Sequence, residues 1–212
     1  MSSDFLRFKF DEEIRQKYGV RLLSGSDEVG RGAMAGPIVV ASVVLDPNWK
    51  NKKIKDSKLL SFKQREELFQ LIKDNCLSYS IKEYDNNIVD KYNPKKTSIM
   101  GIIDTIYLLD IKPDMCLIDA EKVQLGNSYT SLSIIKGDDK SQSIACASIL
   151  AKVYRDRILI AYKDKYKDYG FENHKGYCTK EHITNVKKYG VLPIHRKTYK
   201  PIRELLEVNH EH

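Results

Sequence analysis

Apolar residues recur along this chain with two spacings, and the alternation between them divides it into elements. Residues Phe8 to Tyr18 follow helical spacing and stop at Gly19, which predicts a short amphipathic helix. Arg21 to Val29 and Ala35 to Leu45 read as strands, the second rich in Val and Ile, and the Gly30-Arg31-Gly32 link between them argues for a hairpin or tight turn. Ser61, with Gln64 three residues on, is a capping pair that predicts a helix through Leu68 and Ile72 to about Asn75. Alternation from Leu77 to Tyr84 predicts a strand, helical spacing covers Thr97 to Leu109, Met115 to Ile118 is a short buried strand ended by Asp119, and Ser131 to Ile135 is another strand.

The longest helical signal runs from Ser141 to about Tyr162, with an inward stripe traced through Ile144, Ala147, Ala151, Tyr154 and Ile158. Small residues at Ala145, Cys146, Ala147, Ser148 and Ala151 let its first half press against a sheet, which brings whatever precedes its N-terminus close to the strand ends. Thr179 to Tyr189 and Pro201 to Val208 are further helices, and Gly170 to Cys178 is a loop. Strands first, then strands mixed with helices, predict an α/β layered fold with a mixed sheet.

Length and composition add bounds. The 212 residues, 42% hydrophobic and 31% charged, suffice for one well-buried core, and residues 1–212 read as a single domain. The longest apolar runs, Pro37 to Leu45 and Ile144 to Leu150, are too short to cross a bilayer, and Met1 to Phe10 is broken by Asp4, Arg7 and Lys9, so neither a membrane span nor a signal is expected. Cys76, Cys116, Cys146 and Cys178 stand far apart with no C-x-x-C pairing, which fits a reducing, cytoplasmic setting. No heptads or large apolar stripes call for assembly, so a monomer is expected. The net charge of +7 is uneven: Lys152 to Lys200 holds thirteen Lys or Arg against five acids. Beside Tyr154, Tyr162, Tyr166, Tyr169, Tyr177 and Tyr199 that concentration suggests a polyanion-binding surface, although a solvated lysine-rich helix face accounts for the charge equally well.

The acids of interest are those that an element end can fix beside one another. Asp27 and Glu28 close an apolar strand just before the glycine turn, Asp119 ends the next buried strand, and Asp138 lies between a strand and the small-residue helix. Strand ends of this kind gather ligands in open α/β sheets. Singly, each acid also fits a structural part: Asp27 a turn cap, Asp119 a loop edge, Asp138 a partner for the helix that follows. Together, three or four carboxylates without a paired base need cations, and hard oxygen ligands suit Mg²⁺ or Mn²⁺ rather than Zn²⁺. Adjacent strand residues point to opposite faces, so Asp27 and Glu28 reach one ion only if the strand breaks there.

The run Ser26-Asp27-Glu28-Val29-Gly30-Arg31-Gly32, then Ala35-Gly36-Pro37, resembles the opening signature of the type 2 ribonucleases H, specifically ribonuclease HII. The likeness continues through Asp56-Ser57-Lys58, Leu117-Ile118-Asp119, Lys136-Gly137-Asp138, Ser143-Ile144-Ala145, Ala147 to Val153, Arg155-Asp156, His174-Lys175-Gly176-Tyr177 and His195-Arg196, covering about Ser24 to Tyr199. The sister type, ribonuclease HIII, shares the Asp-Glu opening but lacks the Gly-Arg-Gly turn and usually carries an extra N-terminal domain, for which about twenty residues before the first strand are too few. The Pro94-Lys95-Lys96-Thr97 run, where relatives keep a smoother helix, and Cys146 in place of a commoner alanine depart from the pattern without touching the acids.

The resemblance implies a ribonuclease H-like fold: a mixed five-stranded sheet flanked by helices, with a helical C-terminal part, basic from about residue 165. It implies that Asp27, Glu28, Asp119 and Asp138 bind Mg²⁺ or Mn²⁺, with Asp139 the rival for the last place. Gly30, Arg31 and Gly32 would read the 2'-hydroxyl with backbone groups, Tyr177 would pack against the deoxyribose after the ribonucleotide, and Lys58 and Arg31 would contact phosphate. Glycine allows that close backbone approach, and the 2'-hydroxyl is what separates RNA from DNA. The implied activity is two-metal hydrolysis of the RNA strand of RNA/DNA hybrids and of ribonucleotides embedded in duplex DNA, leaving 5'-phosphate and 3'-hydroxyl ends. Two rivals share the features: a non-catalytic nucleic-acid-binding module using the basic surface, and a resolvase- or transposase-like nuclease on the same fold, which would cut all-DNA duplexes. His174 and His195 read as structural hydrogen-bonders.

Overall fold

The computed structural model of the protein describes residues 6–54 and 60–208. Helix α1 (Arg7–Tyr18) ends at Gly19 and leads into strands β1 (Leu23–Val29) and β2 (Ile38–Leu45). Helix α2 (Phe62–Asn75) starts on the anticipated capping box: Gln64 N–H donates to the Ser61 hydroxyl at 3.3 Å, and Ser61 N–H to the Gln64 side chain at 2.8 Å. Strand β3 (Cys76–Tyr84) follows, then helices α3 (Asn86–Tyr92) and α4 (Pro94–Tyr107), strands β4 (Met115–Asp119) and β5 (Thr130–Ile134), and helices α5 (Gly137–Lys140), α6 (Gln142–Lys165), α7 (Phe171–His174), α8 (Lys180–Tyr189) and α9 (Lys200–Val208).

Three of these helices have no counterpart in the sequence reading. Helix α3 is set by its cap, Asp85, whose carboxylate accepts from Ile88 N–H at 2.9 Å. It ends at Asn93, in positive φ, before Pro94 opens α4, so the irregular Asn93-Pro94 step is a junction between two helices. Helices α5 and α7 span four residues each, too short for any apolar period to register.

The sheet has five strands in the order β3-β2-β1-β4-β5 and is mixed. β4 pairs in parallel with β1, Leu23 opposite Met115, and with β5, Asp119 opposite Ile134. β1 and β2 are neighbours joined by residues 30–37, a link shorter than the crossover a parallel pair needs.

The chain divides into two compact units, neither contiguous in sequence: residues 1–29, 40–82 and 99–153 in the first, and residues 30–39, 83–98 and 154–212 in the second. In the first, Leu23, Met115, Leu117 and Ile134 of the sheet pack with Ile14 of α1 and Ile144 of α6. The small-residue start of α6 lies against β1 as anticipated: a Cβ placed on Gly25 would stand 2.0 Å from the Ser143 carbonyl carbon. A buried hydroxyl chain, Ser26 to Ser42 at 2.7 Å and Ser42 to Thr105 at 2.8 Å, ties β1 to β2 and α4. The stripe predicted for α6 is right at Ile144, Ala147 and Ala151 and wrong at Tyr154, which is 37% exposed. Because positions 144–151 are all buried, that half of the helix has no polar face from which periodicity could set the phase.

The second unit is built around Phe171, stacked on Tyr169 with ring centroids 5.8 Å apart and met edge-on by Tyr162 and Tyr166. Of these three tyrosines, counted from sequence toward a polyanion surface, Tyr169 is a core residue with Met34, Leu159, Val186 and Ile202, and Tyr162 and Tyr166 are half-buried against that core.

Candidate active site

Asp27 lies near the end of β1, 7% exposed, and its Oδ1 accepts the Glu28 N–H at 2.7 Å. The strand runs on through Val29, so it does not break at Glu28 as convergence of two neighbouring side chains was expected to require. Even so, the Glu28 charge acts on Asp27. Burial first, then the negative charges of Glu28 and Asp119, hold the Asp27 carboxyl well above the usual carboxylate range, while the Ser148 hydroxyl and the Glu28 N–H pull it down.

Asp119, at the end of β4, is half-buried, and its Oδ1 accepts the Gly137 N–H at 2.6 Å. A Cβ on Gly137 would stand 2.4 Å from Ile144 Cδ1 and 3.2 Å from Asp119 Oδ1, so a side chain here would have to displace Ile144 and press on the Asp119 carboxylate. The next residue, Asp138, is 7% exposed, and its carbonyl accepts from Arg7 Nε at 2.8 Å. Its neighbour Asp139 is exposed and faces Arg7 at 3.6 Å. Ala120 (φ 50) and Lys136 (φ 55), each beside one of these acidic segments, hold the left-handed backbone that non-glycine residues avoid. Helix α1 supports the same place from outside the sheet. Asp11, buried, accepts from the Ser143 N–H at 2.9 Å and the Ser143 hydroxyl at 2.7 Å, satisfying the start of α6. Nothing in the sequence marked Arg7 or Asp11 for this part.

Thus Asp27, Glu28 and Asp119 share one electrostatic neighbourhood, and Asp138 adjoins the glycine that bonds Asp119. Among the described residues no three His, Cys, Asp or Glu side chains already stand as a group that could hold an ion. The donor set nevertheless fits a hard divalent cation: all are carboxylates, and the charges acting most strongly on buried Asp27 are negative.

In the second unit the Gly30-Arg31-Gly32 turn and Tyr177 are brought together. Ala33 bridges to Tyr177, and Met34 and Ala35 N–H donate to the Gly176 carbonyl at 2.9 and 3.2 Å. Gly30 has φ 101, and a Cβ there would lie 2.4 Å from Arg155 Nε, so glycine is required twice over. Gly32, exposed and not in positive φ, has open space around its Cα instead. Two fully buried arginines brace the turn. Arg155 donates to the carbonyls of Pro37 (2.9 Å), Ala35 (3.1 Å) and Lys175 (2.9 Å), and its guanidinium lies 5.2 Å over the Tyr177 ring. Arg196 donates to Gly30 (2.7 Å), Arg31 (3.2 Å) and, through two nitrogens, Gly36 (3.1 and 2.9 Å), and Tyr199 hydroxyl donates to the Arg31 carbonyl. Burial pushes Arg155 down to about 10, which leaves it charged at neutral pH. These two cations, counted from sequence toward a polyanion surface, are spent inside the unit. Lys58 lies outside the described residues.

Comparison with known proteins matches this arrangement to a family. The family model of ribonuclease HII covers residues 24–202. The ribonuclease HII of Mycoplasma capricolum subsp. capricolum is 54% identical over 200 residues, covering 94% of this chain and 96% of that protein. Among solved structures, ribonuclease H2 from Pyrococcus horikoshii OT3 superposes with a TM-score of 0.78 at 28% identity, covering 90% of this chain and 100% of that one. Bst-RNase HIII in complex with Mn²⁺ gives 0.61 at 16% identity, covering 90% and 71%, and so shares the fold. With the acids, the glycine turn and Tyr177 all inside the matched span, the chain belongs to the ribonuclease HII family, endonucleases that cut the RNA of RNA/DNA hybrids.

Proposed function

We propose that this enzyme cuts both the RNA strand of RNA/DNA hybrids and single ribonucleotides embedded in duplex DNA, with Asp27, Glu28, Asp119 and Asp138 holding two divalent ions, Mg²⁺ or Mn²⁺. The observation that carries the reading is the buried carboxyl of Asp27, raised in pKa by burial and by two further carboxylates, an arrangement that a bound cation relieves. Bound there, the ions supply Lewis-acid activation of a water and charge for the departing 3'-oxygen, which gives 5'-phosphate and 3'-hydroxyl ends. The chain's own groups fix the carboxylates: Glu28 N–H and Ser148 orient Asp27, and Gly137 N–H orients Asp119. The burial of Asp138 and the exposure of Asp139, which faces Arg7, favour Asp138 as the fourth ligand.

Recognition falls to the turn and Tyr177. Gly30, Arg31 and Gly32 present backbone to the ribose 2'-hydroxyl, and Tyr177 lies against the following deoxyribose, where a hydroxyl would clash. Lys58 and the exposed part of the basic segment from about residue 165 contact phosphates, so binding weakens with salt. Residues 1–212 act as one catalytic domain, as a monomer in the cytoplasm. Among the described residues no helix is long and apolar enough to cross a membrane, and all four cysteines are free.

The test is Asp119→Asn on a duplex with one embedded ribonucleotide, beside an all-DNA duplex. Cutting should be lost and binding kept, with the all-DNA duplex uncut by the parent. Metal-independent cutting, or cutting of all-DNA duplex, would overturn the reading.

A further inference from the structure

Three histidines distant in sequence, His174, His182 and His195, lie buried together in the second unit. His174 stacks on His182 with centroids 4.0 Å apart and planes 11° from parallel, and His182 Nε2 lies 3.0 Å from His195 Nε2. Two neutral imidazole nitrogens bond at this distance only if one carries the proton and the other a lone pair. The backbone decides which. Leu192 N–H, which can only donate, lies 2.8 Å from His195 Nδ1, closer than the Leu192 carbonyl at 3.3 Å, which the His195 N–H already serves at 3.0 Å, so Nδ1 is the acceptor and Nε2 holds the proton. His195 Nε2–H then donates to His182 Nε2, which leaves the His182 proton on Nδ1, where it is donated to the Tyr177 carbonyl at 3.0 Å. His174 is fixed in the same manner, accepting from Gly176 N–H at 3.1 Å and donating to the Tyr169 carbonyl at 2.7 Å. Burial pushes His182 down to about 3 and His195 to about 4, so both are neutral at neutral pH, as the bond chain requires.

The relay ends on a single carbonyl. The Lys175 carbonyl is held by Arg155, and that of Gly176 by Met34 and Ala35; the Tyr177 carbonyl takes His182 Nδ1–H at 3.0 Å beside the local Thr179 N–H at 2.8 Å, so His182 is its side-chain donor from the helix that follows. We propose that the bond chain from Leu192 through His195 and His182 fixes the backbone of Tyr177 so that its ring meets the sugar after the ribonucleotide, making His182 and His195 positioning residues for junction preference. The inference rests on the sugar-reading part given to Tyr177 above. Packing alone would not require the Nδ1–H form at His182, the less populated tautomer of imidazole in water. Without His182 the Tyr177 carbonyl keeps only the Thr179 N–H two residues on, a bond that moves with the same turn and does not tie it to His195 and Leu192, and displacement near 1 Å is enough to cost on the order of 10- to 100-fold in a positioned contact.

The readout is the ratio of kcat/KM on a one-ribonucleotide duplex to kcat/KM on a uniform RNA/DNA hybrid. Tyr177→Ala and His182→Phe should each lower this ratio about tenfold, and the double variant should fall no further than Tyr177→Ala alone. His182→Asn keeps an N–H donor at the distance of Nδ1 from Cβ, so it should retain more of the ratio than His182→Phe. A lowered ratio in Tyr177→Ala with none in His182→Phe sinks the relay and spares the Tyr177 reading. Phe outperforming Asn means packing and sinks it too. An unchanged ratio in Tyr177→Ala overturns that reading and the relay with it. Two-bond ¹H–¹⁵N spectra of the unaltered protein need no variant: they should show His182 protonated at Nδ1 and His195 at Nε2 at neutral pH, and Nε2–H at His182 would refute the relay.

Discussion

Replacing Gly25 with alanine should damage stability and catalysis together. The added Cβ would lie 2.0 Å from the Ser143 carbonyl carbon and 2.3 Å from both Ile144 N and Ser143 O, about 1.4 Å inside the 3.4 Å at which ordinary contact begins. All three atoms are backbone, so no rotamer relieves the overlap, and the start of α6 must withdraw from β1. Overpacking of this kind costs typically 1–3 kcal/mol, and with a rigid neighbour about 3 kcal/mol or more is expected. The withdrawal also pulls Ser143 from Asp11 and shifts the turn from which Gly137 bonds Asp119. A shift of about 1 Å at that turn should lower kcat on the order of 100-fold. Urea unfolding without divalent ion measures the first effect, and cutting of a one-ribonucleotide duplex with Mg²⁺ the second. Gly32→Ala is the stability control, because its Cβ meets nothing within 4 Å. If Gly25→Ala unfolds within about 0.5 kcal/mol of the parent and cuts within a factor of two, the close approach of α6 to β1 is not what places the acids.

Asp27→Asn should raise the unfolding midpoint in metal-free buffer, since it removes a charge that burial and two carboxylates disfavour, while abolishing cutting and the stabilisation of the parent by Mg²⁺; a lower metal-free midpoint contradicts this. Acid should unfold the protein through its buried histidines: His182 and His195 stay neutral when folded but take up protons when unfolded below about pH 6.5. Stability therefore falls as pH drops from there toward about 4, by about 2 kcal/mol per histidine at pH 5, measurable by denaturant titration against His182→Phe, which should flatten the slope. Arg196→Met should cost about 3–5 kcal/mol in chemical unfolding, because the carbonyls of Gly30 and Gly36 lose buried charged donors, and Arg196→Lys should recover only part, one ammonium being unable to span both; a loss under about 1 kcal/mol would show those carbonyls solvated.

Spacing, caps and glycines located the long elements: α1, α2, α8, α9 and all five strands stand within a few residues of where these signals put them, including β2, which is buried on both faces and was legible as a Val- and Ile-rich run. It failed at α3, α5 and α7, which are set by a cap or by adjoining turns, and at Tyr154, where a helix half without a polar face carries no phase. Local chemistry was enough to single out Asp27, Glu28, Asp119, Asp138 and the glycine turn, because strand ends and glycines are visible one at a time. Residue type alone made Arg155, Arg196 and Tyr169 resemble surface groups, whereas their bonds and ring contacts put them inside, with Tyr162 and Tyr166 half-buried against them. Which acids share a field and which arginines hold the glycine turn depend on partners about ninety to more than a hundred and sixty residues away, and which nitrogen of His182 carries the proton depends on partners 5 and 13 residues away that only the fold orients. Sequence thus decided the elements and the candidate chemistry, since both are set by near neighbours, and the tertiary structure decided charge, burial and protonation, since these are set by whatever the fold brings alongside.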